Sequence, residues 1–153
     1  MGEFVRAEST YRFLKEMRAN AKLAATFAVG AMAQRAKARC AEMLSLDDHT
    51  QKDLNRLGNP YARRHGPEGA GLHDPYQQVH TQTGALAAGL KASAPRATST
   101  GATAEVYNTD EKDPWIQVGT SVMIGRPYMK FVQSAYADEI IQAGQDEFES
   151  RLK

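Results

Sequence analysis

The residues of this chain best suited to chemistry are four histidines, one cysteine, an arginine pair and a Gly-Thr-Ser triplet. His49, His65, His73 and His80 could each ligate a metal, but their spacings match no zinc pattern, and Cys40 has no second cysteine to act with. They fall in a polar stretch with no paired-ligand signature to orient an imidazole. A nucleophilic enzyme needs a base beside its nucleophile and an acid that orients the base. Gly119-Thr120-Ser121 lacks the Gly-x-Ser-x-Gly frame of a nucleophile elbow. Glu139, Asp146, Glu147 and Glu149 are spread as the solvated face of a helix, and neither phosphate-loop nor dinucleotide glycine patterns occur. The expectation is therefore no catalysis, no metal and no cofactor. Arg63-Arg64, with Tyr61 and His65 beside it, could contact phosphates. It lacks the aromatic interleaving of a single-strand platform, so the preferred reading is an arm that meets an acidic surface of a neighbouring subunit.

Those residues need elements to position them, and the sequence supplies two strong ones. From about residue 9 to 46 no proline interrupts a pattern in which Leu14, Met17, Ala21, Ala25, Ala28, Met32, Ala36, Cys40 and Met43 recur at three and four residues. That spacing is one face of an α-helix, and alanine favours the helix intrinsically. Such a helix is about 50 Å long, more than a domain of this size needs. Part of its apolar face is expected to pack on a neighbouring chain, and Cys40 is expected to be a small core residue. After Pro127, Met129, Val132, Tyr136, Ile140 and Ala143 give a second helical stripe.

Between these helices the signals are shorter. Residues 47–58 read as a short helix opened by Thr50-x-x-Asp53 and stopped by Gly58 and Pro60. Asn-Pro, Gly-Pro, Gly-Ala-Gly and Asp-Pro turn signals make residues 59–82 an extended arm. Residues 83–126 read as a small β-sheet: a strand near Leu90–Ala94, a second over Ala102–Tyr107, and a returning strand over Trp115–Val118, with Trp115 in the core. The expected architecture is α+β. A long N-terminal helix and a C-terminal helix over 127–152 pack on an antiparallel sheet of three to four strands, with a long polar loop insertion, all in one domain over residues 1–153.

At 153 residues the chain can bury a real core. The net charge of +1 does not by itself call for a polyanionic partner. The first forty residues are basic, with Arg6, Arg12, Lys15, Arg18, Lys22, Arg35, Lys37 and Arg39 against Glu3, Glu8 and Glu16. A solvated helix face accounts for this asymmetry, and a nucleic-acid contact is the alternative. Neither a signal peptide nor a membrane span is legible, and a soluble chain made in a cytoplasm is expected.

The segment from Trp115 to Met129 carries a resemblance. Its order of Gly119-Thr120-Ser121, Met123, Arg126-Pro127 and Tyr128, leading into a helix, resembles the C-terminal signature of the neck and tail-completion proteins of long-tailed bacteriophages. Thr83-Gly84-Ala85-Leu86 stands upstream where that family has Thr-Gly-x-Leu. Two departures are visible: Gln117 replaces the family's glutamate, and a polar insert separates the first helix from Thr83-Gly84. The resemblance implies a structural virion protein, assembled in the host cytoplasm as a homo-oligomeric ring that joins head to tail. Its partners would be other connector and tail proteins. DNA would pass through the ring without sequence-specific binding, and no membrane would be involved. The expected contact residues are Tyr61, Arg63, Arg64, Thr83, Gly84, Gly119, Thr120, Arg126 and Pro127. The alternative is a nucleic-acid-binding module using the basic first helix and the Arg63-Arg64 loop.

Overall fold

A computed structural model of the chain describes residues 2–44, 84–119 and 125–153. Its frame is α1, Gly2–Met43, an unbroken helix of 42 residues that spans about 63 Å at 1.5 Å per residue. It starts seven residues before the expected boundary. Proline-free, alanine-rich sequence explains why it runs uninterrupted. Over the second half of the helix the stripe read from the sequence faces the core, with Ala28 and Cys40 buried and Ala25, Met32, Ala36 and Met43 half-buried, while the neighbouring Ala24, Ala33 and Leu44 are buried beside it.

After a left-handed Gly84 comes α2, Ala85–Gly89, which feeds directly into a long antiparallel hairpin. Its strands are β1 (Leu90–Ala92), β2 (Arg96–Ala97), β3 (Ala102–Thr103) and β4 (Val106–Asn108). The strands pair as two two-stranded ladders: Leu90 faces Asn108 and Ala92 faces Val106 at the base, while Arg96 faces Thr103 and Ala97 faces Ala102 at the tip. Residues 93–95 thus oppose only residues 104 and 105, which is a β-bulge. Pro95 sits in it, where a missing N–H costs no ladder bond. The Ser93 N–H donates to the Glu105 carbonyl and the Ser93 hydroxyl accepts from the Glu105 N–H, which holds the bulge closed.

Residues 113–118 correct the sequence reading. They form a helix, α3 (Asp113–Val118), and not a returning strand. Asp113 in the first turn and a proline beside it are helix-start features, and they outweigh the β preference of Trp115, Ile116 and Val118. Asp113 is buried and Ile116 and Gln117 are half-buried, at a spacing of three and four. Trp115 and Val118 fall on the opposite side, 57% and 79% exposed, so Trp115 is not a core residue.

The C-terminal helix is also divided. Helix α4 (Tyr128–Ala135) and helix α5 (Ala137–Leu152) are separated at Tyr136, whose φ of −116° and ψ of 20° leave the helical region. Helix α5 returns along α1. They pack tightly at Gly144, where a Cβ would lie 2.6 Å from Met32 Cγ and 2.8 Å from Met32 Sδ. The core joins α1, α2, β1, β4, α3, α4 and α5 through Cys40, Leu44, Leu86, Leu90, Tyr128 and Val132, with Val106, Ile116, Met129, Tyr136 and Ile140 packed around them. Burying each leucine or valine of this set contributes roughly 1.5–3 kcal/mol. The chain is thus α+β, with long first and last helices and small antiparallel strand pairs. The expected short helix over 47–58 and arm over 59–82, with all four histidines, lie outside the described residues.

Candidate interaction site

The described residues around the Gly-Thr and Arg-Pro motifs form a closed base. The Arg126 N–H donates to the Ile116 carbonyl at 2.6 Å, so the two ends of segment 119–125 meet. Gly119 has φ 83° and ψ 179°, a backbone that a residue with a Cβ adopts only with strain. A Cβ on Gly125 would lie 2.6 Å from the Val118 carbonyl oxygen, so this position needs glycine for space. Pro127, at φ −76° and ψ 64°, makes an inverse γ-turn closed by the Tyr128 N–H on the Arg126 carbonyl at 2.8 Å. The Pro127 carbonyl then accepts from the Phe131 N–H at 2.9 Å. Pro127 therefore caps α4 and is not its first residue, one position off the expected placement.

A polar hub holds this base in place. The buried Tyr128 hydroxyl donates to Asp113 Oδ1 at 2.6 Å. The Asn108 amide donates to the Tyr128 hydroxyl at 3.1 Å and to the Leu86 carbonyl at 2.8 Å. Asn108 Oδ1 accepts from the Asp110 N–H, and the Gln117 amide donates to Asp113 Oδ2. Burial, together with the bond to Asp113, holds the Tyr128 pKa well above the ordinary phenol range, so the hydroxyl stays protonated and can donate. The hub ties α2, β4, α3 and α4 into one unit. Gly84 enters the same unit by accepting the Ala88 N–H at 2.9 Å in the first turn of α2.

Among the expected contact residues, Gly84, Gly119, Arg126 and Pro127 are described. Gly119, Arg126 and Pro127 come together at the loop base, and Gly84 joins through the hub. Tyr61, Arg63, Arg64, Thr83 and Thr120 lie outside the described residues.

Two further features were not legible as sites. Arg39 forks onto Glu139, with Nε at 3.0 Å from Oε1 and Nη2 at 2.7 Å from Oε2, while Nη1 reaches Glu42 Oε2 at 2.6 Å. Arg35 pairs with the same carboxylate, and Arg39 lies 4.7 Å over the Tyr136 ring. The arginines hold the Glu139 carboxyl below its ordinary pKa range and the carboxylates raise that of Arg39, the hydrogen bonds between them being the largest cause. This clamp fixes α5 on α1 next to the break at Tyr136. The second feature is the first half of α1: every residue from Tyr11 to Asn20 is exposed, including Tyr11, Phe13, Leu14 and Met17 at 71%, 59%, 57% and 52%. The period-3.6 pattern announced Leu14 and Met17 but not Tyr11 and Phe13, and a pattern alone does not say which part of a helix finds a partner.

Among the described residues no group of three histidine, cysteine, aspartate or glutamate side chains is placed to hold a metal ion. No described helix is long and apolar enough to cross a membrane. Comparison of the chain with protein-family models, with curated proteins and with solved structures finds no significant match.

Proposed function

We propose that the chain is a structural subunit that assembles with copies of itself into a ring. On the motif resemblance, we further propose that the ring is a neck or tail-completion component of a long-tailed phage virion, joining head to tail around the DNA channel. The observation that carries the assembly reading is the projecting half of α1. A helix that leaves tyrosine, phenylalanine, leucine and methionine in water over Tyr11–Asn20 exposes apolar area that protein contact would stabilise. A ring needs two complementary faces on each subunit in a closing, heterologous arrangement, and a helix longer than its own domain supplies one of them. The glycine-constrained junction of Gly119 with Gly125, Arg126 and Pro127 offers a second feature for head or tail partners.

The exposed Arg12, Lys15 and Arg18 on the same stretch favour a second reading, a nucleic-acid-binding module. Phosphate binding gives no use to the four exposed apolar side chains beside them, which is why assembly is preferred. Light scattering on the purified chain, across concentration and at two salt levels, separates the readings. A discrete ring-sized species is the expected result. A monomer at every concentration that binds DNA with steep salt dependence would overturn the ring in favour of the nucleic-acid module.

A further inference from the structure

The projecting half of α1 has two unlike sides. At about 100° per residue, Phe13, Leu14 and Met17 fall within one arc of roughly 100°. Arg12, Lys15, Arg18 and Lys22 fall within another of roughly 120°, whose centre lies about 150° away. All seven residues are exposed. Glu16, the single acid between Tyr11 and Lys22, lies outside the basic arc. Farther along the same helix Arg35 and Arg39 sit on carboxylates, whereas among the described residues no acid pairs with Arg12, Lys15, Arg18 or Lys22.

The basic side is the side on which the hairpin lies over the second half of α1. Gly30, Ala33, Cys40 and Leu44 share that arc by the same geometry. Leu90 packs with Cys40 and Leu44, and Pro95 lies against Gly30, so the hairpin runs back along α1 toward the basic row. Its tip carries Arg96, Ser99 and Thr100 exposed. From Arg12 to Lys22 the row is about 15 Å long, close to four steps of about 3.4 Å along one strand of a duplex. Unpaired cations with hydroxyls beside them are the groups that contact phosphate oxygens without reading bases. Of the aromatic residues on the projecting half, Tyr11 alone shares the arc, which gives no stacking platform for a single strand. A basic amphipathic helix can also lie apolar side down on an anionic bilayer. Here α5 stands in the way. It packs on the apolar side of α1, with Gly144 against Met32 and Arg151 over Phe27, so a bilayer along the stripe would meet α5 and its exposed Asp146 and Glu149.

We infer that the basic side of residues 12–22, with the hairpin tip next to it, contacts the phosphate backbone of double-stranded DNA without sequence preference. The apolar stripe faces the other way and stays free for a neighbouring copy, so one helix serves two partners at once. This contact rests on the reading of a subunit assembled around DNA, and it names the side of the subunit that meets the duplex.

Fluorescence anisotropy with a labelled mixed-sequence DNA duplex tests this contact on the full chain, with light scattering on the same samples. Four phosphate contacts should make the affinity fall on the order of 100-fold between about 50 and 200 mM salt. One variant carries Arg12→Gln, Lys15→Gln, Arg18→Gln and Lys22→Gln; a second carries Arg12→Lys and Arg18→Lys. These positions are exposed, and circular dichroism checks that both variants keep their helices. The glutamine variant should bind at least about tenfold more weakly at low salt and lose most of the salt dependence. The lysine variant should keep both, and both variants should assemble as the unaltered chain does. Absence of duplex binding at low salt would overturn the contact and leave the ring standing. Binding that survives the glutamine substitutions would overturn this face as the site. Loss of assembly together with binding in the glutamine variant would assign the cations to a subunit contact instead. Binding to phosphatidylserine vesicles without binding to the duplex would assign them to a membrane surface. A chain that stays monomeric yet binds the duplex through these four cations would overturn the ring and support this contact.

Discussion

Tyr128 is 1% exposed, with its hydroxyl held between a carboxylate and an amide, and it decides how well the loop base is anchored. Tyr128→Phe removes the donor to Asp113 and the acceptor for Asn108 while keeping the ring. Leaving a buried polar group short of a partner costs about 1–3 kcal/mol, and urea unfolding should show a loss of that size. A loss below about 0.5 kcal/mol would mean the hub does not contribute to stability. Glu139 gives a pH-dependent counterpart. Its folded pKa lies below the ordinary carboxylate value of about 4.3. Its contribution is therefore fully present above that value and is lost as pH falls through the lowered folded value. In acid titrations followed by circular dichroism, the chain should be more stable than Glu139→Gln at neutral pH, and the two curves should converge in strong acid. Cys40 was legible as a core residue: it is 3% exposed, and burial first, then the Asp113 charge, pushes its thiol up to about 11. Trp115 was not legible, because aromatic size argues for burial only when the backbone turns that position inward.

Elements with long periods could be read; those of a few residues could not. Helix α1 and the stripe through Val132 and Ile140 followed from spacing, since nine apolar positions three and four residues apart fall on one side only in a helix. Over Trp115–Val118, three residues with strong β preference, Trp115, Ile116 and Val118, were outweighed by the Asp113-Pro114 helix start just before them and by a hub that required Asp113 and Gln117 to share a face. The hairpin was legible as two strands, but its bulge was not, because one extra residue leaves no periodic trace. Gly144 shows how an element's fit depends on a position that hydropathy ignores. Gly144→Leu would drive its side chain into Met32 and the α1 backbone, and overpacking of this kind costs about 1–3 kcal/mol even after the gain in helix propensity. Chemical denaturation should report that loss, and unchanged stability would mean that α5 can slide away from α1 at no cost.

On the scale of the whole molecule, α1 divides into a half that builds the domain and a half that does not. The boundary is set by where α5 stops: Arg151 lies 4.0 Å over the Phe27 ring, near the end of α5. No local signal in residues 11–20 could reveal that limit, since it depends on an element far along the chain. Replacing Tyr11, Phe13, Leu14 and Met17 together by alanine should shift the melting temperature by no more than about 2–4 °C, because every residue from Tyr11 to Asn20 is exposed. A larger drop would show that this stretch packs on its own subunit. The clamp between α1 and α5 also bears on the order of events during synthesis. Arg39 and Glu139 are 100 residues apart, and contacts between such distant segments form late because the loop between them must first be closed. Helix α1 thus leaves the ribosome long before the helix that covers its Ala24–Ala28 stripe exists. During that interval the apolar stripe is open to other nascent chains, which is when the chain is most exposed to aggregation.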